Sequence, residues 1–280
     1  MRKLNGLESV REILEMQTKG ELVVALNYGG GANSTAMLVE LVERGAPPDI
    51  ILCADTGAEK PEFYAYINDV MNPWLAARGS KPIHLTRWRR KIKSKLGYVP
   101  GQFVPLDKWC EDTSSLPSVA FGLKGCSVKW KAQPLDSMLN KILEGITIPA
   151  VRLFGFDADE RRRLKEFDPQ GRRCFAPLVE WDWGREECID RIARAGLPLP
   201  GKSACYMCPH NRPEEILRLK VEHSDLYDRA IRMEEAWMRE GKAEGSSIKG
   251  LGRSFAWADV EKVRADQVAE RDNPCMCVDG

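Results

Sequence analysis

The stretch ELVVALNYGGGANSTAMLVELVERG, Glu21 to Gly45, decides how the rest of the chain is read. A short apolar run stops at three consecutive glycines, the signature of a strand buried on both faces. Past the glycines, Met37, Leu38, Leu41 and Val42 recur at helical spacing, and Gly45 stands where a helix C-terminus favours glycine. A strand, a glycine turn and a helix opening on Asn33, Ser34 and Thr35 together make an anion site. Glycines let the backbone turn sharply and approach a ligand closely, while unused N–H groups and the positive helix end favour phosphate. The Gly-Lys-Ser/Thr of the common triphosphate loop is absent, as is GxGxxG.

Outward from this unit, DIILCADTG reads as a second buried strand and KPIHLTRW as a third. PEFYAYINDVMNPWLAARG between them reads as a helix with proline in its first turn. The βαβαβ rhythm predicts an α/β protein: a Rossmann-like parallel sheet flanked by helices, with right-handed crossovers. From Gly97 to Gly125 the pattern breaks into a long loop rich in Gly, Pro and Ser. KAQPLDSMLNKILEG resumes as a helix, and PAVRLFGFDADE is a strand ending in a turn. GREECIDRIARAGL is amphipathic, with Cys188, Ile189 and Ile192 on one face. From Pro213 onward the chain reads as charged helix. The expected division is a nucleotide-binding α/β domain over 1–200 and a mainly helical, cysteine-containing region over 201–280.

A net charge of +1 argues against a globally basic nucleic-acid coat. No apolar run approaches the length of a membrane span, and the charged opening MRKLNGLESVREILEMQ is unlike a signal peptide. The expected compartment is the cytoplasm, where the nine cysteines serve as ligands, nucleophiles or small core residues rather than as a disulfide framework.

GGGANST, Gly29 to Thr35, resembles the pyrophosphate loop SGGxDS(T) of the adenine-nucleotide α-hydrolase (PP-loop) superfamily. That superfamily joins the N-type ATP pyrophosphatases with the phosphoadenylylsulfate and adenylylsulfate reductases. Its members act between the α- and β-phosphates, so they need no lysine for a γ-phosphate. ADTGAEKPEFYAYI, Ala54 to Ile67, is similar to the reductase branch's DTG-x-E-x-PET segment, and FGFDADERRR, Phe154 to Arg163, to its GI-R-x-D-E-S-x-R turn. The loop DKWCEDTSSLPSVAFGLKGCS and the segment KSACYMCPHNRPEE resemble phage-type members. The resemblance implies that Gly29, Gly30, Gly31, Asn33, Ser34 and Thr35 hold the phosphates of ATP or phosphoadenylylsulfate. Asp55, Thr56 and Glu59 would border the ribose or a Mg²⁺ ion, and Glu160 and Arg161 would close the pocket. The motif's serine is Gly29 here, and its aspartate is Asn33. An amide can hydrogen-bond phosphate oxygens but brings no charge to a metal.

KSACYMCPHN places Cys205 and Cys208 at CxxC spacing, as in zinc sites, iron–sulfur sites and redox dithiols. CSVKWKAQPL, starting at Cys126, resembles the segment that follows the first cluster ligands in iron–sulfur adenylylsulfate reductases, with a second CxxC downstream. Cys126 precedes Cys205 by 79 positions, and Gly125 stands where those enzymes carry a further cysteine. The expected centre is a [4Fe-4S] cluster, or alternatively Zn²⁺, on Cys126, Cys205 and Cys208, with Cys275 or Cys277 of the tail CMC as fourth ligand and His210 as a weaker candidate. Cys277 or Cys275 is equally placed to be a nucleophile. Cys53 and Cys188 read as packing residues, whereas Cys110 and Cys174 carry no signal.

RWRRKIKSK, Arg87 to Lys95, holds six cations, no acid and an embedded Trp88. It suits a tRNA or DNA backbone, the phosphates of a small nucleotide, or a solvated face. Three functions follow. The first is an adenine-nucleotide enzyme that adenylates a substrate, turning ATP into AMP and pyrophosphate, in sulfur transfer. The others are a thiol-dependent sulfonucleotide reductase and a non-catalytic nucleotide- or nucleic-acid-binding module. Oligomeric state is not legible.

Overall fold

A computed structural model describes residues 9–162, 174–241 and 244–263. Five parallel strands form one sheet in the order β3-β2-β1-β4-β5. They are β1 (Val23–Asn27), β2 (Ile50–Asp55), β3 (His84–Arg87), β4 (Ala150–Phe154) and β5 (Cys174–Phe175). The chain runs outward from β1 through β2 to β3, then returns to lay β4 on the other side of β1. That reversal makes a switch point at the carboxyl ends of β1 and β4, where Asn27 is level with Phe154.

Alternation along the strands feeds two faces. Val24, Leu26, Ile51, Cys53, Val151 and Leu153 enter a core with α1 (Val10–Thr18), α2 (Ala32–Glu43) and α9 (Arg185–Arg194). Ala25 and Leu52 face Leu135 and Leu139 of α7 (Gln133–Ile142) on the opposite side. Every residue of β1 is buried, which explains its unbroken apolar run. Arg191 of α9 pairs with Glu40 and Glu43, clamping α9 to α2.

The helix after β2 begins at Pro61, as its sequence predicts. It runs as α3 (Pro61–Ala65), a π-helical segment Tyr66–Met71 and α4 (Asn72–Ala76). Pro73 cannot donate a hydrogen bond inside a helix, and the wide turn just before it absorbs the mismatch. The long loop expected between Gly97 and Gly125 contains a helix, α5 (Leu106–Asp112), and a 3₁₀ turn at Ser118–Phe121. Beyond it, the short α6 (Gly125–Ser127) leads through a π-helical segment, Val128–Ala132, into α7. After β4 come α8 (Pro177–Glu180), then α9, α10 (Pro213–Glu222) and α11 (Ser224–Arg239).

These last helices share a second core with the middle of the chain. Leu106, Cys110, Leu116 and Trp130 pack with Tyr206, Met207, Ile216, Met233, Trp237 and Trp257. Glu234, 1% exposed, lies inside it and accepts from the N–H groups of Leu251 (2.6 Å) and Trp257 (3.0 Å). Burial raises its pKa, and the N–H donors oppose that rise. No helix among the described residues is long and apolar enough to cross a membrane.

Candidate nucleotide and thiol sites

The glycine turn lies between β1 and α2, with Gly31 as the N-cap of α2. Ser34 Oγ accepts from the N–H groups of Gly29 (3.1 Å) and Gly30 (3.2 Å), curling the loop over the helix start. Thr35 is turned inward, its hydroxyl 2.9 Å from Tyr28 Oη and donating to Gly31 O. Gly30 has φ +90°, and a Cβ there would lie 2.3 Å from the Phe63 ring. Its glycine is therefore demanded by Phe63 and by the backbone, before any ligand is considered.

Asn33 points across the switch point. Its Nδ2 donates to Asp157 Oδ2 at 2.9 Å, and both residues are buried. Asp157 follows β4, where its other oxygen receives the Glu160 N–H at 3.1 Å. Contact between the two strand ends depends on Gly155, where a Cβ would lie 2.9 Å from Ser34 N and 3.0 Å from Ser34 Cα. The oxygens Asn33 Oδ1 and Asn27 Oδ1 accept no hydrogen bond from the described residues, although Asn33 is 2% and Asn27 3% exposed. An unsatisfied buried acceptor costs roughly 1–3 kcal/mol. The crevice thus collects acceptors without donors, a setting suited to ribose or amino donors or to a hard cation. Arg161 turns elsewhere, donating to Val179 O, with Asp182 at 4.0 Å.

Asp55, Thr56 and Glu59 form a tightly bonded turn at the end of β2. Asp55 is fully buried and accepts from Gly57 N–H (2.8 Å), Tyr64 Oη (2.7 Å) and Arg87 Nε (2.7 Å). Burial, then the Asp55 carboxylate, push the Tyr64 phenol far above its ordinary pKa, so it remains a donor. Thr56 Oγ1 donates to Glu59 at 2.9 Å and lies 3.2 Å from Cys205 Sγ. One side chain therefore joins the β2 turn to the CxxC.

Cys126, Cys205 and Cys208 line one small cavity together with Thr56 and Lys131. Its space is about 20 Å³, enough for a water-sized body. Among the described residues, no group of three or more Cys, His, Asp or Glu is placed to hold a metal ion. Three sulfurs lining one cavity are a donor set with the chemistry of a thiophilic centre. Cys275 and Cys277 lie outside the described residues. Cys110, one turn beyond Leu106, is a neutral packing thiol that burial pushes up to about 12. Cys53 and Cys188 sit in the sheet core.

Asp157, Asn27 and Gly155 are the residues that sequence reading did not single out. Asp157 and Gly155 both stand within FGFDADERRR.

Among solved structures, the chain is similar to phosphoadenylyl-sulfate (PAPS) reductase from Candida auris in its phosphate complex. The identity is 15% and the TM-score 0.45, over 69% of this chain and 83% of that one. No protein-family model matches the chain, and no curated protein matches it. The fold class rests on the sheet order itself.

Proposed function

We propose that this chain is an adenine-nucleotide enzyme of the PP-loop kind, of the reductase-like, phage-type branch, acting in the cytoplasm. The observation that supports this reading best is the switch-point crevice. A glycine loop opens α2 on one side, Asp157 stands on the other, and two buried amide oxygens between them await donors. The nucleotide's phosphates would lie on the N–H groups that open α2, beside the Ser34 hydroxyl that shapes the loop. Asp157, with Asn33 Oδ1, would supply oxygens for a Mg²⁺ ion that neutralises the phosphates. In this account the carboxylate that the resemblance expects at position 33 is provided from position 157.

The reaction proposed is adenylation in a sulfur-transfer enzyme. An acceptor oxygen forms a bond to the α-phosphorus of ATP, the α–β bridge breaks, and pyrophosphate leaves with the bond's electrons. AMP is released when sulfur later displaces the adenylate. The loop holds the phosphates and the crevice orients the ribose, so the chain's contribution is positioning and charge neutralisation. Residues 1–200 form the nucleotide domain in this proposal, and 201–280 bring Cys205 and Cys208 to Cys126. Cys126, Cys205 and Cys208 would hold an iron–sulfur cluster, which would supply or carry sulfur. Arg87 to Lys95 would face an anionic acceptor.

The test is product analysis with protein purified without oxygen. AMP and pyrophosphate from ATP support adenylation. Sulfite from phosphoadenylylsulfate would replace this reading by the thiol-dependent reductase, and binding without turnover by a non-catalytic module.

A further inference from the structure

The basic run is one wall of a wider groove. β3 is an edge strand, and a groove of about 1400 Å³ lies against it. Its cations come from separate parts of the chain: Arg89, Arg90 and Lys91 after β3, Lys129 before α7, and Lys141 within α7. None of the five is ion-paired among the described residues. The acid that lines the groove, Asp136, is engaged by Arg152.

Aromatic rings hold these charges in place. Lys129 Nζ lies 3.6 Å from the Trp109 ring centre, 4.3 Å from Trp88 and 4.4 Å from Trp130. The Arg90 guanidinium is 5.6 Å from the Trp109 ring and 5.9 Å from that of Trp88. Partial burial, then the neighbouring Arg90 charge, lower the Lys129 pKa. Two crowded cations without a counter-ion are relieved by an incoming anion.

Size and composition select among anions. A small-molecule pocket is typically ~300–1,000 Å³, so this groove exceeds the need of one nucleotide. Five cations from three parts of the chain suit a row of phosphates, and the half-buried Trp88 lines the groove beside them as ring surface for a base. We propose that this groove binds single-stranded nucleic acid. The inference deepens the proposed function by naming the class of acceptor, and it rests on that reading for the strand's destination. At the end of β3, Arg87 reaches Asp55, and the next residue, Thr56, touches Cys205. A strand in the groove therefore ends beside the turn that joins the nucleotide and thiol sites.

The test is fluorescence anisotropy of the whole protein with labelled single-stranded RNA and DNA 12-mers, with polyglutamate of equal charge as the acidic-peptide arm. ATP binding is measured in parallel by calorimetry. Five phosphate contacts on a single strand predict affinity falling about 100-fold between 50 and 200 mM salt. The surface double variant Lys91→Glu/Lys141→Glu should weaken the oligonucleotide at least tenfold and leave ATP affinity unchanged. Trp88→Ala should weaken it about tenfold, the stacking contribution of one base. Strand binding absent at 50 mM salt, equalled by polyglutamate, or indifferent to the double variant would overturn the inference. With ATP binding intact, any of those results leaves the nucleotide site standing, whereas loss of ATP binding alone counts against the proposed function.

Discussion

Replacing Asn33 by aspartate tests whether Asp157 is the carboxylate of the nucleotide site. The substitution exchanges a donor 2.9 Å from Asp157 Oδ2 for a second carboxylate oxygen in a buried crevice. Two unit charges at that distance repel by about 6 kcal/mol at an effective dielectric constant near 20. That is enough to keep one proton on the pair at neutral pH. The new group then has its folded pKa raised above the unfolded value, so the variant loses stability as pH rises through the gap. The expected slope relative to the parent is about 1.4 kcal/mol per pH unit between pH 5 and 7, read by urea denaturation. Millimolar Mg²⁺ should remove most of the loss, because a divalent ion replaces the shared proton, and pyrophosphate release from MgATP should rise. Parallel stability profiles for variant and parent, insensitive to Mg²⁺, would refute the argument that Asp157 is the carboxylate of a cation-ready crevice.

Other consequences are independent. Gly155→Ala drives a methyl into the Ser34 backbone at 2.9–3.0 Å; it should cost roughly 1–3 kcal/mol by denaturation and weaken ATP binding in calorimetry. Glu234→Gln keeps the acceptor for Leu251 and Trp257. Because burial raises the Glu234 pKa, its contribution is full below the unfolded carboxylate pKa and fades as pH rises. The variant should therefore gain on the parent as pH rises above the ordinary carboxylate range, read by urea denaturation. Cys205→Ser should strip most iron or zinc from anaerobically purified protein, and full metal retention would rule out a centre shared with Cys126 and Cys208.

Much of the α/β frame was legible because its signals are local. The unbroken apolar run of β1, Gly45 after α2 and Pro61 at the start of α3 all act within a few residues. α5 was hidden because a seven-residue helix behind Pro105 leaves little periodicity to count, and β5 is two residues long. The site was harder, because its contacts are tertiary. Asn33 and Asp157 are 124 positions apart and meet through the pairing of β1 with β4. A motif gives Arg161 a place in sequence but no direction, and its guanidinium turns toward Val179. The aromatic partners of the basic run, Trp109 and Trp130, come from segments that no local pattern linked to Arg87–Lys95.

The central claim is that the loop from Gly29 to Ser34 holds an adenine nucleotide by its phosphates. Calorimetric titration with α,β-methylene ATP, whose α–β bridge cannot be cut, isolates binding from turnover. Ser34→Ala removes the acceptor that shapes the Gly29 and Gly30 amides. The account predicts one nucleotide bound per chain, with affinity about tenfold lower in Ser34→Ala, or ~1.4 kcal/mol, near the value of one charge-assisted hydrogen bond. No binding by the parent protein, or identical binding by the variant, would contradict it.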